Sequence, residues 1–251
     1  MNLISFVPRA LPTDILSGMN DVHSHILCGV DDGVKDFESS VLALQYLESK
    51  GVERVTLTPH FMTGVTNNRA SIEEKYNKFK SDCASKTNVK LSLAAEYMID
   101  QQFVSHAADG YLTIGSSKKV LVETSYMMAR QDTPNLVYNM MLSGYQTIIA
   151  HPERYQYATI DDYQQWTIKG HELQLNLLSL AGAYGPYAYD NAMYLLHHKM
   201  YTYVGTDFHN LNRFDSVFGK IKLRSKYIDY LKELIQNNLQ LFKFFLLKKI
   251  R

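Results

Sequence analysis

Short β-rich runs alternate with longer helical patterns along almost the whole chain, and this alternation limits the folds that the sequence can adopt. The β-rich runs lie at residues 22–25, 54–58, 89–97, 119–124, 145–150, 172–178 and 201–206. The helical patterns lie at residues 37–50, 71–86, 101–108, 135–143, 160–169 and 189–199. Strands that alternate with helices form parallel sheets with right-handed crossovers. The alternation therefore predicts an α/β fold built on a parallel sheet.

The number of β-runs indicates how this sheet closes. Seven strand–helix units in a chain of 251 residues favour a (β/α) barrel of the TIM type. An open doubly wound sheet is the alternative, but no glycine-rich phosphate loop follows the first predicted strand. The last helical pattern, residues 228–250, is amphipathic and ends in basic residues. We expect it to pack on the barrel as a final helix, with a membrane-surface or partner-binding role as the alternative.

Composition excludes several classes of protein. Apolar residues make up 46% of the chain and charged residues 20%, which is typical of globular proteins rather than disordered ones. The net charge of +1 gives no basic surface for a nucleic-acid partner. Two cysteines cannot form a disulfide framework, and the sequence shows neither a signal peptide nor a transmembrane segment. These features predict a soluble, cytoplasmic protein.

Nearly every predicted strand ends in a side chain that can bind a metal ion. These residues are His23, His25, Asp32, His60, Glu96, Glu123, His151, Asp207 and His209. Side chains two positions apart on a strand point to the same face, so His23 and His25 can share one ion, as can Asp207 and His209. The carboxyl ends of barrel strands meet at one rim, where the nine side chains would converge.

A single His-x-His pair is more often incidental, and a single carboxylate at a strand end can cap the following helix. The full set is different, because burying five imidazoles and four carboxylates together without a cation would be costly. Nitrogen and oxygen donors without a thiolate suit Mn²⁺, iron or Zn²⁺. Nine ligands exceed the needs of one ion, so we predict two or three ions, which can promote displacement at phosphorus.

Two arginines follow this set closely and could bind an anionic substrate. Arg154 lies three residues after His151, and Arg213 lies four residues after His209. A guanidinium suits bidentate contact with phosphate oxygens, although each arginine could instead form a surface salt bridge.

The ordered motifs resemble those of the bacterial protein-tyrosine phosphatases of the PHP (polymerase and histidinol phosphatase) superfamily, which are manganese-dependent enzymes of capsule and exopolysaccharide biosynthesis. The resemblance extends from about residue 19 to residue 242. The motifs are Asp21-Val22-His23-Ser24-His25, Gly29-Val30-Asp31-Asp32-Gly33, Thr58-Pro59-His60, Ala95-Glu96-Tyr97, Val122-Glu123, His151-Pro152-Glu153-Arg154, Gln174-Leu175-Asn176, Ser179-Leu180-Ala181-Gly182 and Gly205-Thr206-Asp207-Phe208-His209.

This resemblance implies a distorted (β/α)7 barrel, the PHP fold, with a trinuclear metal site. All nine residues named above match ligand positions, and Mn²⁺ is the expected metal, with iron, cobalt or zinc as alternatives. Arg154 matches a phosphate-contacting position, and Arg213 corresponds to a second one that is shifted by about one residue, so the resemblance implies a catalytic role for both. The implied division is an N-terminal extension over residues 1–18 and a phosphatase domain over residues 19–251. The implied substrate is phosphotyrosine on a partner protein, a membrane-associated bacterial tyrosine autokinase.

We hypothesise that a metal-bridging hydroxide attacks phosphorus in line while Arg154 and the metals neutralise the phosphoryl oxygens. A cysteine-based mechanism is excluded, because a cysteine phosphatase needs an arginine six residues after its cysteine. Val34 follows Cys28 at this spacing, and Val89 follows Cys83.

The sequence leaves three alternatives to a tyrosine phosphatase. A phosphatase for small phosphomonoesters such as histidinol phosphate would share the metal set. A metal-dependent amidohydrolase also uses a His-x-His strand, but its two-metal forms usually need a bridging lysine where this chain has Glu96 and Glu123. A non-catalytic binding protein on the same barrel would be expected to lack one or more ligands.

Overall fold

A closed barrel with seven strand positions forms the centre of the protein in the computed structural model, which describes residues 7–243. The strands are β1 (Arg9–Ala10), β2 (Asn20–Ser24), β3 (Arg54–Leu57), β4 (His60–Phe61), β5 (Lys90–Leu93), β6 (Glu96–Met98), β7 (Lys119–Glu123), β8 (Gln146–Ala150), β9 (Glu172–Asn176), β10 (Tyr201–Gly205) and β11 (Lys222–Leu223). The α-helices are α1 (Phe37–Ser49), α2 (Arg69–Cys83), α3 (Phe103–His106), α4 (Thr133–Leu142), α5 (Ile160–Ile168), α6 (Pro186–His197), α7 (Leu211–Phe218) and α8 (Ser225–Gln240).

Two parallel sheets form the barrel wall. One has the order β10-β9-β8-β7-β6-β4, and the other has the order β2-β3-β5. The strand pairs β3/β4 and β5/β6 each occupy one strand position, because only two residues separate their members. The amide of Ala94 donates to the carbonyl of Leu57 (3.0 Å), and the amide of Glu96 donates to the carbonyl of Pro59 (3.2 Å), which joins the sheets.

The seam between the first and the last strand closes the barrel. Ser24 and Phe208 form a parallel bridge, and the amide of His25 donates to the carbonyl of Phe208 at 2.9 Å. The amide of Asp207 donates to the carbonyl of His23 at 2.8 Å. The closure confirms the α/β barrel that the alternation of strands and helices predicted.

The end of the barrel where the strands begin is filled with apolar side chains. The interior cluster comprises Val22, Ala94, Ile114, Leu121, Ile148, Ala150, Tyr203 and Leu241. Leu241 follows α8, and its carbonyl accepts a hydrogen bond from the amide of Ser116 at 3.0 Å. A larger apolar layer lies between the strands and the surrounding helices. The opposite end, at the carboxyl ends of the strands, is therefore the one available for a site.

The C-terminal helix is shorter than the sequence pattern predicted. Helix α8 ends at Gln240, where Leu241 enters the barrel, and the predicted residues 244–250 lie outside the described residues. The buried Asn238 fixes α8 across the closing seam, because its amide donates to the carbonyls of Asn20 (2.8 Å) and Val204 (2.7 Å). Among residues 7–243, no helix is both long enough and apolar enough to span a membrane.

The helices α2 and α7 also differ from the sequence-based expectation. Helix α2 begins earlier than residue 71, because the Asn68 side chain accepts the amide of Ser71 and forms the capping box with it. Ser71 is thus the third residue of the helix rather than its cap. Helix α7 was not predicted at all. In the N-terminal region, β1 pairs with β11 and Ile15 is buried, while the division at residue 18 stays a prediction.

Candidate metal centre

All nine predicted ligand-type residues lie at the carboxyl ends of the barrel strands. His23, His60, Glu96 and Glu123 lie within β2, β4, β6 and β7 respectively. The other five follow directly after a strand or lie in the next loop: His25, Asp32, His151, Asp207 and His209. Six of the seven strand positions thus contribute at least one donor, because parallel strands in a barrel end at a common rim.

The nine residues form four overlapping groups of donor atoms. In each group, one donor atom from every member lies within 4.8 Å of the others. The groups are His25, Asp32, His60 and His209; His23, His25 and Asp207; His23, Glu96 and His151; and His60, Glu96 and Glu123. Since four of the residues belong to two groups each, the arrangement could hold several ions with shared ligands.

Glu96 lies at the centre of these groups. Its Oε2 is 3.2 Å from His23 Nε2, 3.2 Å from His25 Nε2 and 3.1 Å from His60 Nδ1. Its Oε1 is 3.0 Å from His151 Nε2. The carboxylate is fully buried, so four imidazoles surround one carboxylate away from water. This position suits a carboxylate that bridges two cations.

The backbone is strained at two of the nine residues. His151 has φ of 33° and Asp207 has φ of 49°, in the left-handed region that non-glycine residues seldom adopt. Such conformations cost about 1–3 kcal/mol each and persist where the surrounding structure fixes them. Both residues belong to the donor groups, at the ends of β8 and β10.

Hydrogen bonds from outside the nine residues orient the histidines. His23 Nδ1 lies 2.9 Å from Gln174 Oε1, and His25 Nδ1 lies 2.9 Å from Asp31 Oδ2. Each oxygen accepts a hydrogen bond, so Nδ1 carries the proton. Nε2 then keeps the lone pair that can bind a metal ion in the cluster. Asp31 also accepts the backbone amide of His60 at 3.0 Å. Asp31 and Gln174 therefore support the candidate ligands without belonging to the four groups.

The pKa values show how strongly the cluster requires positive charge. Burial and the charge of His25 lower the pKa of His60, but Glu96, Asp32 and Glu123 outweigh both effects and raise it to about 10. Burial likewise opposes charge on His25, yet Asp207, Asp31 and Glu96 raise its pKa well above the usual value. The buried carboxylates are therefore stabilised by nearby positive charge. Protonated histidines provide this charge when no metal ion is bound.

The donor atoms themselves fit a metal ion better than they fit each other. Within residues 7–243, His60 Nδ1, Glu96 Oε2 and Glu123 Oε2 are buried and form no hydrogen bond. His60 Nδ1 and Glu96 Oε2 are only 3.1 Å apart, but their alignment is not that of a hydrogen bond. Buried polar atoms seldom lack a partner, and lone pairs directed at a common point are what a cation requires. The residues present fit a divalent metal site.

A cavity of about 260 Å³ adjoins the donor groups, and both arginines that were predicted to bind an anion line it. It is lined by Asp32, Arg154, Leu178, Tyr184, Asp207, His209, Asn210, Arg213 and Phe214. Arg154 Nη1 donates to Asp207 Oδ2 at 2.9 Å, and its side chain is 16% exposed. Arg213 is exposed at the start of α7. Two cationic side chains and three of the candidate ligands, Asp32, Asp207 and His209, therefore line the same cavity.

Several residues of the site were not assigned a role from the sequence. The sequence predicts Asp32 as a ligand, but it gives no role to Asp31, whose only signal is the doubled aspartate. Tyr126 and Tyr184 lie against Arg154, with ring centres 4.4 Å and 4.1 Å from the guanidinium carbon. No local motif marks these tyrosines, since only the fold brings their loops beside Arg154.

The protein is a closed parallel barrel, and a cluster of nitrogen and oxygen donors is buried at the carboxyl ends of its strands. These two features define the class: a barrel protein with a candidate multinuclear metal centre. The chain belongs to the family described as capsular polysaccharide synthesis, CpsB/CapC, whose model matches residues 19–239. This membership agrees with the resemblance inferred from the motifs.

Named relatives extend over most of the chain. It is 26% identical over 203 residues to tyrosine-protein phosphatase YwqE of Bacillus subtilis, which covers 77% of this chain and 78% of the relative. It is 27% identical over 218 residues to putative tyrosine-protein phosphatase CapC of Staphylococcus aureus, which covers 83% and 86% respectively.

Solved structures share the fold. One from the work on YwqE of Bacillus subtilis and CpsB of Streptococcus pneumoniae, described as unique metal-dependent tyrosine phosphatases, matches with a TM-score of 0.76 and 23% identity. It covers 89% of this chain and 94% of that chain. The phosphotriesterase homology protein of Escherichia coli matches with a TM-score of 0.56 and 12% identity, covering 91% and 99%. At these identities the matches establish the barrel fold.

Proposed function

We propose that this protein is a metal-dependent protein-tyrosine phosphatase that hydrolyses phosphotyrosine on a protein substrate. The observation that carries the proposal is the cavity in which Arg154 and Arg213 lie beside Asp32, Asp207 and His209. An anion-binding pair of arginines next to a metal-type donor cluster suits a phosphoryl substrate. The relatives named tyrosine-protein phosphatases support the same substrate class.

The nine rim residues are proposed to hold two or three divalent ions, with Mn²⁺ as the expected metal and iron, cobalt or zinc as alternatives. Imidazole and carboxylate donors suit these metals, and the four donor groups contain no thiolate. When bound, the ions supply Lewis-acid stabilisation of charge on a phosphoryl group and activation of water. Four shared residues, His23, His25, His60 and Glu96, support an assignment to adjacent ions rather than to one.

The chain's own residues bind and orient the substrate. Arg154 keeps one Nη1 contact to Asp207, and its remaining N–H donors are available for phosphoryl oxygens. Arg213 lines the same cavity and supplies a second cation. In hydrolysis the bond from phosphorus to the phenolic oxygen breaks, and a bond to a water oxygen forms. A phenol has a pKa of about 10, so its departure needs less proton transfer than that of an alkyl alcohol.

The proposed partner is a phosphotyrosine-bearing protein, a membrane-associated bacterial tyrosine autokinase that controls capsule or exopolysaccharide synthesis. Membership of a capsular polysaccharide synthesis family supports this partner. We also propose a cytoplasmic location. The free cysteines Cys28 and Cys83 agree with a reducing compartment.

Two alternatives have less support. None of the relatives reported above is named a histidinol phosphatase. The donor groups contain Glu96 and Glu123 where a two-metal amidohydrolase would need a bridging lysine. Both carboxylates are buried and within reach of His60 Nδ1, at 3.1 Å and 3.2 Å.

The experiment that tests the function is hydrolysis of a phosphotyrosyl peptide with Mn²⁺, with and without a chelator, beside a phosphoseryl peptide and histidinol phosphate. We expect phosphotyrosine-selective activity that chelation abolishes and that a His23→Ala/His25→Ala variant lacks. The matched control is His197→Ala/His198→Ala, which changes two exposed histidines at the C-terminal end of α6 and should retain activity. Preferred hydrolysis of histidinol phosphate would move the substrate to small metabolites, and inactivity of the Mn²⁺-loaded protein would refute the catalytic proposal.

A further inference from the structure

We propose that Tyr184 is a positioning residue that holds both Arg154 and Arg213 at the cavity beside the metal-type donor groups. The proposal rests on the proposed function in one respect, namely that these arginines bind the phosphoryl group. Tyr184 lies in the loop between the short helix 177–181 and α6, and it lines the cavity with both arginines. Its role is to fix where the two cations lie before an anion arrives.

Arg154 is held on three sides. Its Nη1 donates to Asp207 Oδ2 at 2.9 Å, and its guanidinium carbon lies 4.4 Å from the ring centre of Tyr126 and 4.1 Å from that of Tyr184. Cation–π contacts operate within about 6 Å of a ring centre and are stronger when water is excluded. The side chain is only 16% exposed, so both rings contribute in a largely dry environment. Arg154 would keep two of its three supports if Tyr184 were removed.

Arg213 has much weaker support. Its guanidinium carbon lies 5.2 Å from the ring centre of Tyr184, and its Nη2 lies 3.4 Å from the carbonyl oxygen of Ala183. Among the described residues, it forms no ion pair with a carboxylate within 4.0 Å. The side chain is exposed, where a flexible arginine loses conformational freedom on binding an anion. The ring of Tyr184 is therefore the main feature that restricts Arg213.

The ring of Tyr184 is itself fixed to the donor groups. Asn176 Nδ2 donates to the Tyr184 hydroxyl oxygen at 3.0 Å and to Asp207 Oδ2 at 2.7 Å. Burial, together with the charge of Asp207, raises the pKa of the Tyr184 hydroxyl to about 12, so the ring stays neutral. A neutral ring tied to a candidate metal ligand can hold two guanidinium groups in a constant position relative to the donor cluster.

This arrangement has a consequence for anion binding. Two guanidinium groups repel each other, and an exposed arginine such as Arg213 would move away from Arg154 in the absence of an anion. Attraction of both cations to one ring opposes this separation. A doubly charged phosphoryl group then meets a preorganised pair, which reduces the ordering cost of binding.

The test compares orthophosphate affinity, measured by calorimetry on the Mn²⁺-loaded protein, with KM and kcat for a phosphotyrosyl peptide. Tyr184→Leu is expected to weaken orthophosphate binding and raise KM by roughly tenfold. Tyr184→Phe keeps the ring but loses the hydrogen bond from Asn176, so it should cause a clearly smaller loss than Tyr184→Leu. Tyr184→Met is a second non-aromatic variant with the same expected loss, in case Tyr184→Leu does not fold. Manganese content should be unchanged in all three.

A double-mutant cycle separates positioning from a general structural effect. With Arg213→Gln as background, the loss caused by Tyr184→Leu should shrink, because only the contact with Arg154 remains to be removed. Tyr126→Leu is the matched comparison, since among the described residues the Tyr126 ring forms a cation–π contact with Arg154 and not with Arg213, and its removal should cause the same loss in both backgrounds. Tyr189→Leu, which changes an exposed tyrosine of α6, should match wild type.

Equal losses from Tyr184→Leu in both backgrounds, or unchanged orthophosphate affinity in this variant, would overturn the proposal. If the wild-type protein bound orthophosphate but did not hydrolyse phosphotyrosyl peptides, the proposed function would fail. The role of Tyr184 would still be decided by the calorimetric cycle.

Discussion

The two ends of the barrel both contain charged side chains, but they satisfy them in different ways. At the end where the strands begin, Lys119 Nζ donates to Glu172 Oε1 at 2.7 Å and to the Tyr203 hydroxyl at 2.6 Å. One cation therefore meets one carboxylate, and Leu241 covers the interior beside them. At the opposite rim, five histidines and four carboxylates share one arginine contact, from Arg154.

The difference indicates which end is built for stability and which for a ligand. Glu172 is neutralised one to one from within the chain, since Lys119 Nζ lies 2.6 Å from its Oε2, although this oxygen also forms no hydrogen bond. The rim cluster leaves buried donors such as Glu96 Oε2 and His60 Nδ1 without hydrogen bonds and raises the pKa of His60 to about 10. It is complete only when cations are added. Barrel active sites lie at this end in general, and the charge balance gives a reason in this chain.

The largest expected effect comes from removing the central carboxylate of the rim. Glu96→Gln should abolish tight Mn²⁺ binding and reduce phosphotyrosyl hydrolysis by at least about 100-fold, because two donor groups lose their shared ligand. Calorimetric Mn²⁺ titration and steady-state kinetics check this. The matched change at the other end, Glu172→Gln, should leave both quantities near wild type. Similar losses in the two variants would remove the distinction between the ends.

Asp31→Asn should have a smaller effect at the rim. Asp31 orients His25 through Nδ1 and holds the amide of His60, so loss of its charge should weaken metal affinity and activity by roughly 10–100-fold. Asp36→Asn in the same loop is the control, since asparagine also caps a helix and Asp36 caps α1. Unchanged Mn²⁺ affinity in Asp31→Asn would contradict the supporting role.

The pH dependence of stability should separate the chelated from the metal-loaded protein. The pKa of His60 is raised to about 10 in the folded chelated protein, so this state binds more protons than the unfolded chain between about pH 6.5 and 10. Its stability is full below about pH 6.5 and falls as pH rises toward 10, by an amount on the order of a few kcal/mol.

Thermal unfolding from pH 6 to pH 10 measures this difference. Metal ions replace the protons on the histidines, so the Mn²⁺-loaded protein should lose less stability over the same interval. Superimposable profiles for the chelated and loaded forms would show that the rim histidines do not exchange protons for metal.

The smallest effect on activity is expected at the opposite end of the barrel. Lys119→Met should reduce the free energy of unfolding by about 1–3 kcal/mol, because Glu172 and Tyr203 lose a partly buried partner. Hydrolysis and Mn²⁺ content should remain within about twofold of wild type. Urea unfolding and metal analysis check the two quantities, and a loss of metal without a loss of stability would reverse the assignment of the two ends.

The sequence was sufficient to predict the barrel and the membership of the rim cluster. Periodicity distinguishes strands from helices, and the carboxyl ends of parallel strands meet at one place, so Glu96 and His151 could be placed together although they are far apart in the chain. Boundaries were less predictable. The N-cap of α2 is Asn68 rather than Ser71, which depends on which of two polar side chains reaches the free amides.

Contacts between loops could not be predicted from local patterns. Tyr126 follows β7 and Tyr184 precedes α6, and nothing in their neighbouring residues indicates that both lie against Arg154. The separation of Asp31 from Asp32 depends on a tight turn in which any side chain at Gly33 would collide with the carbonyl of His25. Such placement depends on the three-dimensional packing of the rim.

The central claim is that the rim binds several adjacent metal ions through shared ligands. Low-temperature electron paramagnetic resonance of the chelated protein, titrated with Mn²⁺, tests it most directly. We predict that the second and third equivalents bind with loss of the isolated-ion signal, because ions in adjoining donor groups, two of which contain the Glu96 carboxylate, would lie close enough to couple magnetically. Saturation at one equivalent with the signal of an isolated ion, or no binding to the folded protein, would contradict the account.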